Sequence, residues 1–335
     1  MLLLFLVVCF LTSLVVQYFY IKSETFHILD ISNHRSMHKG AVKKSAGVFF
    51  ILIAFFFSGI YFPIFSEIKP IYFLITIGTL FLMILGLLDD IYHLSSLSKM
   101  FLEILFFFPG VYFFLPSYTL LGFEPELPRF LISFLATLYI IFVINLCNFM
   151  DGLDLYLSLN FLSLVIVVFL LNKSITFEGT ILLFVLFSLV GFMLFNRPKA
   201  RVFMGDAGSL ALGFLMAMSP VFIMNSKNSF EPGLSFFLLP VFWVDGMVTI
   251  LKRLIRKENI LKAHREHLYQ RITLKAWKPV YTTIIFSLMN LLAYFVYIIL
   301  QASDSFVVSF IICLLLYLGL YMFLEFYLRR KTSKT

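Results

Sequence analysis

Four short stretches of this chain carry side chains able to grip a cation or an anion beside hydrocarbon. The first is Gly86-Leu87-Leu88-Asp89-Asp90, which closes an apolar run. Adjacent carboxylates repel, and bringing them near hydrocarbon is costly unless something positive compensates. A divalent cation or a basic partner would do so; two solvated charges ending a span are the plainer alternative. The second stretch runs from Asn145 to Asp154, with Asn145, Asn148, Asp151 and Asp154 three residues apart. That spacing drifts slowly around one helix face. It sets two amides inside the membrane, where they need partners, even if only other helices. The third is Phe203-Met204-Gly205-Asp206-Ala207-Gly208-Ser209. Its glycines allow close backbone approach, and N–H groups at a helix start favour phosphate. Asp206 there suits a Mg²⁺ bridging carboxylate and phosphate, or else simply caps the helix. The fourth is the basic stretch from Lys252 to Arg271, which contains His264, Arg265 and His267. The two histidines share a helical face and could grip a pyrophosphate or, in the plainer reading, anionic lipid head groups. No HExxH run and no cysteine ligand supports zinc there. Asp245, inside an apolar run, is a further functional candidate, with an Asn, a His or Lys252 as its partner. Glu103 and Glu325 lie near span ends and either snorkel or pair with Lys99 and Arg329 in this reading, without a functional role.

The elements that must position these stretches are membrane helices. Of 335 residues, 61% are hydrophobic, 19% aromatic and only 13% charged, and the mean hydropathy is +0.99. A soluble domain carries about 25% charge, so a soluble enzyme, a disordered chain and a secreted disulfide scaffold are all excluded. Cys9, Cys147 and Cys313 lie in apolar runs and offer neither a disulfide framework nor metal spacing. Apolar runs near 1–21, 47–65, 71–88, 100–115, 130–148, 156–172, 179–195, 208–225, 235–251, 281–300 and 305–328 are each read as a span. The first lacks the basic start and small-residue cleavage site of a signal peptide.

With the N-terminus outside, 22 of the 26 basic residues fall in inner segments, leaving Lys69, Arg129, Lys173 and Lys227 outside. The five aspartates of the first three stretches fall at inner ends too, as do His27, His34, His38, His93, His264 and His267. The expectation is an all-α integral membrane protein of about eleven transmembrane helices, N-terminus outside and C-terminus cytoplasmic. Residues 1–335 form one polytopic domain, with 252–280 as its cytoplasmic basic and histidine-bearing loop. The net charge of +8 is thus a membrane-topology signal, and no nucleic-acid partner is expected.

In order and in content the four stretches resemble the motifs of the polyprenyl-phosphate N-acetylhexosamine-1-phosphate transferases. GLLDD resembles the first aspartate motif, Asn145–Asp154 the NxxNxxDGxD motif, and FMGDAGS the MGDxGS motif. Residues 263–271, AHREHLYQR, resemble the last histidine loop of the branch that primes O-antigen and related glycans. Asp30, Asn33, Arg35, Ser36 and His38 fall where the family writes D-x-P-N-x-R-S-x-H, with Ser32 in place of the proline. Lys43-Lys44-Ser45-Ala46-Gly47 replaces a P-R-G-G-G-like turn, so that Lys44 stands in for an arginine. Leu155-Tyr156-Leu157 replaces the usual G-L-A after Asp154, a change that bears on the sugar pocket.

The resemblance implies transfer of a sugar-1-phosphate from a UDP-N-acetylhexosamine to undecaprenyl phosphate, with release of UMP, to prime cell-envelope polysaccharide. It places the protein in the bacterial cytoplasmic (inner) membrane as a homodimer whose active site faces the cytoplasm. The expected cofactor is Mg²⁺, with Mn²⁺ as a substitute, held by Asp206 and Asp89. Asp89, Asp90, Asp151, Asp154, His264 and His267 are the expected catalytic residues. Lys44, Asn145, Asn148, Phe203, Gly205 and Arg265 are the expected substrate-binding ones, with Phe203 stacking on uracil. Whether attack is direct or passes through a covalent intermediate stays open. The contrasting reading is a secondary transporter or flippase for an anionic glycan precursor, which predicts broken helices and an internal repeat.

Overall fold

The computed structural model describes residues 1–24, 28–32, 40–65, 70–115, 118–172, 177–223, 230–259, 264–301 and 305–332. Asn33, Arg35, Ser36 and His38 of the first-loop match lie outside the described residues. So do His27, His34, Ala263, Lys69, Lys173 and Lys227.

The chain folds as helices because hydrocarbon offers backbone groups no partners and a helix satisfies them internally. In order these are α1 (Leu2–Lys22), α2 (Gly47–Phe65), α3 (Pro70–Tyr92), α4 (Ser96–Phe114), α5 (Arg129–Met150), α6 (Tyr156–Leu171) and α7 (Phe177–Asn196). There follow α8 (Gly205–Ala217), α9 (Ser219–Phe222), α10 (Gly233–Leu238), α11 (Pro240–Ile255), α12 (Leu268–Lys275), α13 (Pro279–Gln301) and α14 (Phe306–Thr332). Among the described residues the helical plan is interrupted by a small antiparallel hairpin, β1 (Leu29–Ile31) with β2 (Ala41–Lys43), which places Asp30 opposite Val42.

Among the described residues eight helices, α1 to α5, α7, α13 and α14, are long and apolar enough to cross a membrane. The other three expected spans differ from the sequence reading. Within residues 156–172 the helix Tyr156–Leu171 has 16 residues, about 24 Å at about 1.5 Å per residue. The described part of the run near 208–225 divides between α8 and the one-turn α9, and 235–251 divide between α10 and α11. The last break has a local cause. Pro240 has no N–H and cannot continue a helix from the previous turn. Asn290 Oδ1 accepts the Val241 N–H at 3.0 Å, and Asn290 Nδ2 donates to Asn160 Oδ1 at 2.5 Å. Buried amides on α13 and α6 thus stabilise the break.

Helix α8 occupies the centre. Every residue from Ala207 to Ala217 is buried. Its small residues let α3, α5 and α2 pack closely around it. All three cysteines are buried free thiols.

Candidate active site

The site is assembled where the end of α3, the start of α8 and the segment before α2 meet. Residues 43–47 run beside 202–204. The Phe203 N–H donates to the Lys43 carbonyl at 2.8 Å, Ala46 N–H to the Phe203 carbonyl at 3.1 Å, and Gly47 N–H to the Met204 carbonyl at 2.9 Å. This pairing brings Lys44 and Ser45 to the start of α8. Gly205 turns the chain into α8 at φ +69°, and a Cβ there would overlap the Asp90 carboxylate. A Cβ on Gly86 would overlap the backbone of Asp206 and Ala207, so only glycine lets α3 come this near.

That approach decides the role of Asp90. Its carboxylate accepts the N–H groups of Asp206 at 3.2 Å and Ala207 at 3.5 Å, and the Ser45 hydroxyl at 2.6 Å. Lys44 Nζ lies 3.3 Å away. The α8 N-terminus was expected to favour a phosphate or be capped by Asp206; in the structure Asp90 takes that place. Asp90 is 6% exposed and fully partnered.

Asp89 faces Lys99. The Lys99 ammonium lies 2.6 Å from Asp89 Oδ2 and 3.4 Å from Asp206 Oδ2. The Asp89 and Asp206 carboxyl groups are within hydrogen-bonding reach of one another. One lysine therefore stands between two acids drawn from α3 and α8. The sequence reading paired Lys99 with Glu103 and missed this position. The available signal was that Lys99 is the one basic residue between 89 and 99. Asp206 is the most open of the three acids, its side chain 31% exposed.

The end of α5 brings up the second stretch. Asn148 Nδ2 donates to Ser209 Oγ at 2.8 Å, which ties this stretch to α8. Asn145 Nδ2 donates to Glu103 Oε2 at 3.2 Å and to the Ile141 carbonyl at 2.9 Å. Glu103 is fully buried, and its other oxygen has no hydrogen-bond partner among the described residues. Asp151 caps α5. Burial, followed by the charges of Asp206, Asp154 and Asp90, pushes its carboxyl up to about 7. Asp154 Oδ2 accepts the Ala200 N–H at 3.3 Å. Ser45 and Leu155 stand where the resemblance expects glycine, and both hold left-handed backbone, at φ +68° and +62°. The backbone of a glycine turn is thus kept without the glycine. Phe203 is half-exposed beside this cluster.

The histidine loop lies between α11 and α12. His264 Nδ1 accepts the Glu266 N–H at 3.3 Å, which leaves the imidazole proton on Nε2. Burial, then the neighbouring His267 and Arg253, lowers His264 to about 4, so it is a neutral donor near pH 7. The His264 and His267 rings are 5.0 Å apart. Arg253 Nη1 lies 2.5 Å from Glu266 Oε1, and Arg256 bonds the other oxygen. Arg265 is half-buried in the same loop. Tyr269 makes contact with the acidic turn, its hydroxyl donating to the Phe149 carbonyl at 3.3 Å.

One further pairing differs from the sequence reading, that of Lys252, while the expected Glu325–Arg329 pair is present. Lys252 meets Glu325 at 3.6 Å and the Tyr321 hydroxyl at 3.1 Å, not Asp245. Glu325 also binds Arg271 and lies 3.6 Å from Arg329.

Among the described residues no group of three or more His, Cys, Asp or Glu side chains is arranged to hold a metal ion. The Asp89–Asp206 pair offers two hard carboxylate donors, with a lysine ammonium already between them. Such a set suits Mg²⁺, which keeps several waters and takes one or two carboxylates plus substrate phosphates.

The glycosyl transferase family 4 model matches residues 72–224, which take in Asp89, Asp90, the Asn145–Asp154 stretch and Asp206. The chain is 30% identical over 209 residues to a probable undecaprenyl-phosphate N-acetylglucosaminyl 1-phosphate transferase of Bacillus subtilis, covering 59% of this chain and 57% of that protein. It is 29% identical over 316 residues to an undecaprenyl-phosphate alpha-N-acetylglucosaminyl 1-phosphate transferase of Thermotoga maritima, covering 91% and 94%. It is 33% identical over 215 residues to a phospho-N-acetylmuramoyl-pentapeptide-transferase of Streptococcus thermophilus, covering 56% and 60%. The match thus spans less than two thirds of the Bacillus and Streptococcus proteins and nearly all of the Thermotoga one. With its apolar helices and its acids gathered at one end of the bundle, this multi-pass membrane protein carries a glycosyl transferase family 4 match and is similar in sequence to polyprenyl-phosphate N-acetylhexosamine-1-phosphate transferases.

Proposed function

We propose that the protein transfers an N-acetylhexosamine-1-phosphate from its UDP-sugar to undecaprenyl phosphate at the cytoplasmic face of the bacterial inner membrane. A phosphate oxygen of the lipid forms a bond to the β-phosphorus of the UDP-sugar. The bond from that phosphorus to the oxygen bridging to the α-phosphorus breaks, and UMP leaves. One phosphoanhydride replaces another, so the exchange is close to thermoneutral. The product primes a cell-envelope polysaccharide, and the site works as a homodimer in this reading.

The observation that carries the proposal is the Asp89–Lys99–Asp206 cluster at the ends of α3 and α8. Both substrates are anions, and their repulsion is the main obstacle to reaction. Asp206 and Asp89 would hold a Mg²⁺, which supplies charge neutralisation to the phosphates. Lys99 presents an ammonium group to these two acids, and Lys44 one to the neighbouring Asp90. His264 presents a neutral Nε2–H donor for a diphosphate oxygen, and Arg265 a guanidinium. Asp90 and Asn148 hold α3 and α5 in register with α8. Asp151 and Asp154 shape the nucleotide end, and Phe203 offers an aromatic face for uracil. Positioning and electrostatics supply most of the rate in phosphoryl transfer.

The break at Leu239–Pro240 is the feature that a transport reading anticipates. It is closed by buried amides, and the acids converge on one end of the bundle, as transfer requires. The test is purified protein with Mg²⁺, undecaprenyl phosphate and a panel of UDP-N-acetylhexosamines. UMP release coupled to a lipid-linked sugar is expected with one or more of them. No UMP from any sugar nucleotide, together with glycolipid movement in vesicles, would select transport.

A further inference from the structure

Asp245 is an ionisable side chain that the transferase reading leaves without a task. It lies on α11 and is 1% exposed. Its compensation is specific. Oδ1 accepts the Leu268 N–H at 2.8 Å and the Thr249 hydroxyl at 3.2 Å, and Oδ2 accepts the Tyr269 N–H at 3.2 Å. Leu268 and Tyr269 open α12, so the carboxylate meets the free N–H groups and the positive end of that helix. His267 is 3% exposed and sets Nδ1 at 3.6 Å from the same Oδ1. Neither ring nitrogen of His267 has a hydrogen-bond partner among the described residues. Buried polar nitrogens are ordinarily satisfied, and here an acceptor stands just beyond bonding range.

The start of α12 is also packed, with Leu268 and Tyr269 buried. A small cavity of about 20 Å³ lies between α11, α13 and α14, with Val244, Asp245, Leu268, Tyr317 and Tyr321 in its wall. From α12 the connection continues to the acidic turn. The Tyr269 ring stacks on Tyr156 with centroids 4.7 Å apart. Its hydroxyl fills the space where a Gly152 side chain would stand, beside Asp151.

We propose that Asp245 is a positioning residue for the histidine loop. Its carboxylate anchors the start of α12, and through that anchor it fixes the His264–His267 pair and the seat of Tyr269 on the Asp151–Asp154 turn. The catalytic consequence rests on the transferase reading; the anchor itself does not.

The test uses the full chain in detergent, as wild type, Asp245→Asn and Asp245→Leu. Hydrogen exchange at the Leu268 and Tyr269 amides should accelerate at least about tenfold in Asp245→Leu, with Asp245→Asn, which keeps one acceptor, in between. Turnover of the UDP-sugar by Asp245→Leu should fall roughly 10- to 100-fold in kcat/KM, as for other supporting residues. That loss should largely vanish in a His264→Ala background, because the two changes act through one loop. A merely structural defect would instead add to the His264→Ala loss. Unchanged exchange, or losses that add fully, would overturn the proposal. If Asp245→Leu does not fold, Asp245→Asn carries the same comparisons. If wild type releases no UMP from any UDP-sugar, the transferase reading fails, and the exchange measurement alone decides the anchor.

Discussion

Replacing Lys99 by Met removes the ammonium that stands between Asp89 and Asp206 and leaves two facing acids without it. The separations are 2.6 Å and 3.4 Å. At an effective dielectric constant of about 20, unit charges at those distances attract by about 6 and about 5 kcal/mol before solvation costs. Desolvation of the three groups offsets much of this. Breaking a buried pair nonetheless costs about 3–5 kcal/mol, because the remaining charge is left uncompensated. The 31% exposure of the Asp206 side chain places this cluster at the lower end of that range. The metal-free Lys99→Met protein should therefore unfold at a lower temperature than wild type. Added Mg²⁺ should reverse the ranking of effects. A bound ion would compete with the ammonium in wild type and would have no such competitor in the variant. Each tenfold gain in affinity adds about 1.4 kcal/mol of stabilisation at saturating ion. The assay is thermal unfolding in detergent, with and without millimolar Mg²⁺. A Mg²⁺-induced rise in midpoint larger in Lys99→Met than in wild type is the expected result. An equal or smaller rise, or a metal-free variant as stable as wild type, would refute the reasoning.

Asp206→Asn should abolish UMP release while leaving a monodisperse protein in detergent, and near-wild-type turnover would remove Asp206 from the metal role. His264 is depressed to about 4 in the folded protein against about 6.5 in an unfolded chain, so the unfolded state binds more protons between those values. Stability should therefore decline as pH falls from about 6.5 to about 4, and His264→Gln should flatten that slope in the thermal midpoint. Leu155→Gly should raise the thermal midpoint by relieving left-handed strain of about 1 kcal/mol, whereas the β-branched Leu155→Val should lower it. Gly205→Ala should lose both stability and turnover, since its Cβ would displace the Asp90 carboxylate from the start of α8.

The sequence by itself determined the class of molecule and the ends of the helices that carry chemistry. Apolar length is a one-dimensional property, and the run near 71–88 and the helix Pro70–Tyr92 describe the same span. The motif stretches were legible for the same reason, because Asn145, Asn148, Asp151 and Asp154 are read from spacing along one chain. Hydropathy did not reveal that residues 235–251 break at Pro240, since a proline leaves the run apolar and Asn290, which accepts the Val241 N–H at the break, lies on a distant helix. Nor could it separate Asp89 from Asp90. Neighbours on a helix point about 100° apart, so one meets Lys99 and the other the start of α8 only once α3 has packed against α8 across Gly86. Asp245 shows the same division. Composition marked it as a costly charge in an apolar run, but its partners are backbone N–H groups 23 and 24 residues away. Which groups meet is a matter of how helix ends pack in three dimensions, and only the tertiary structure decides that.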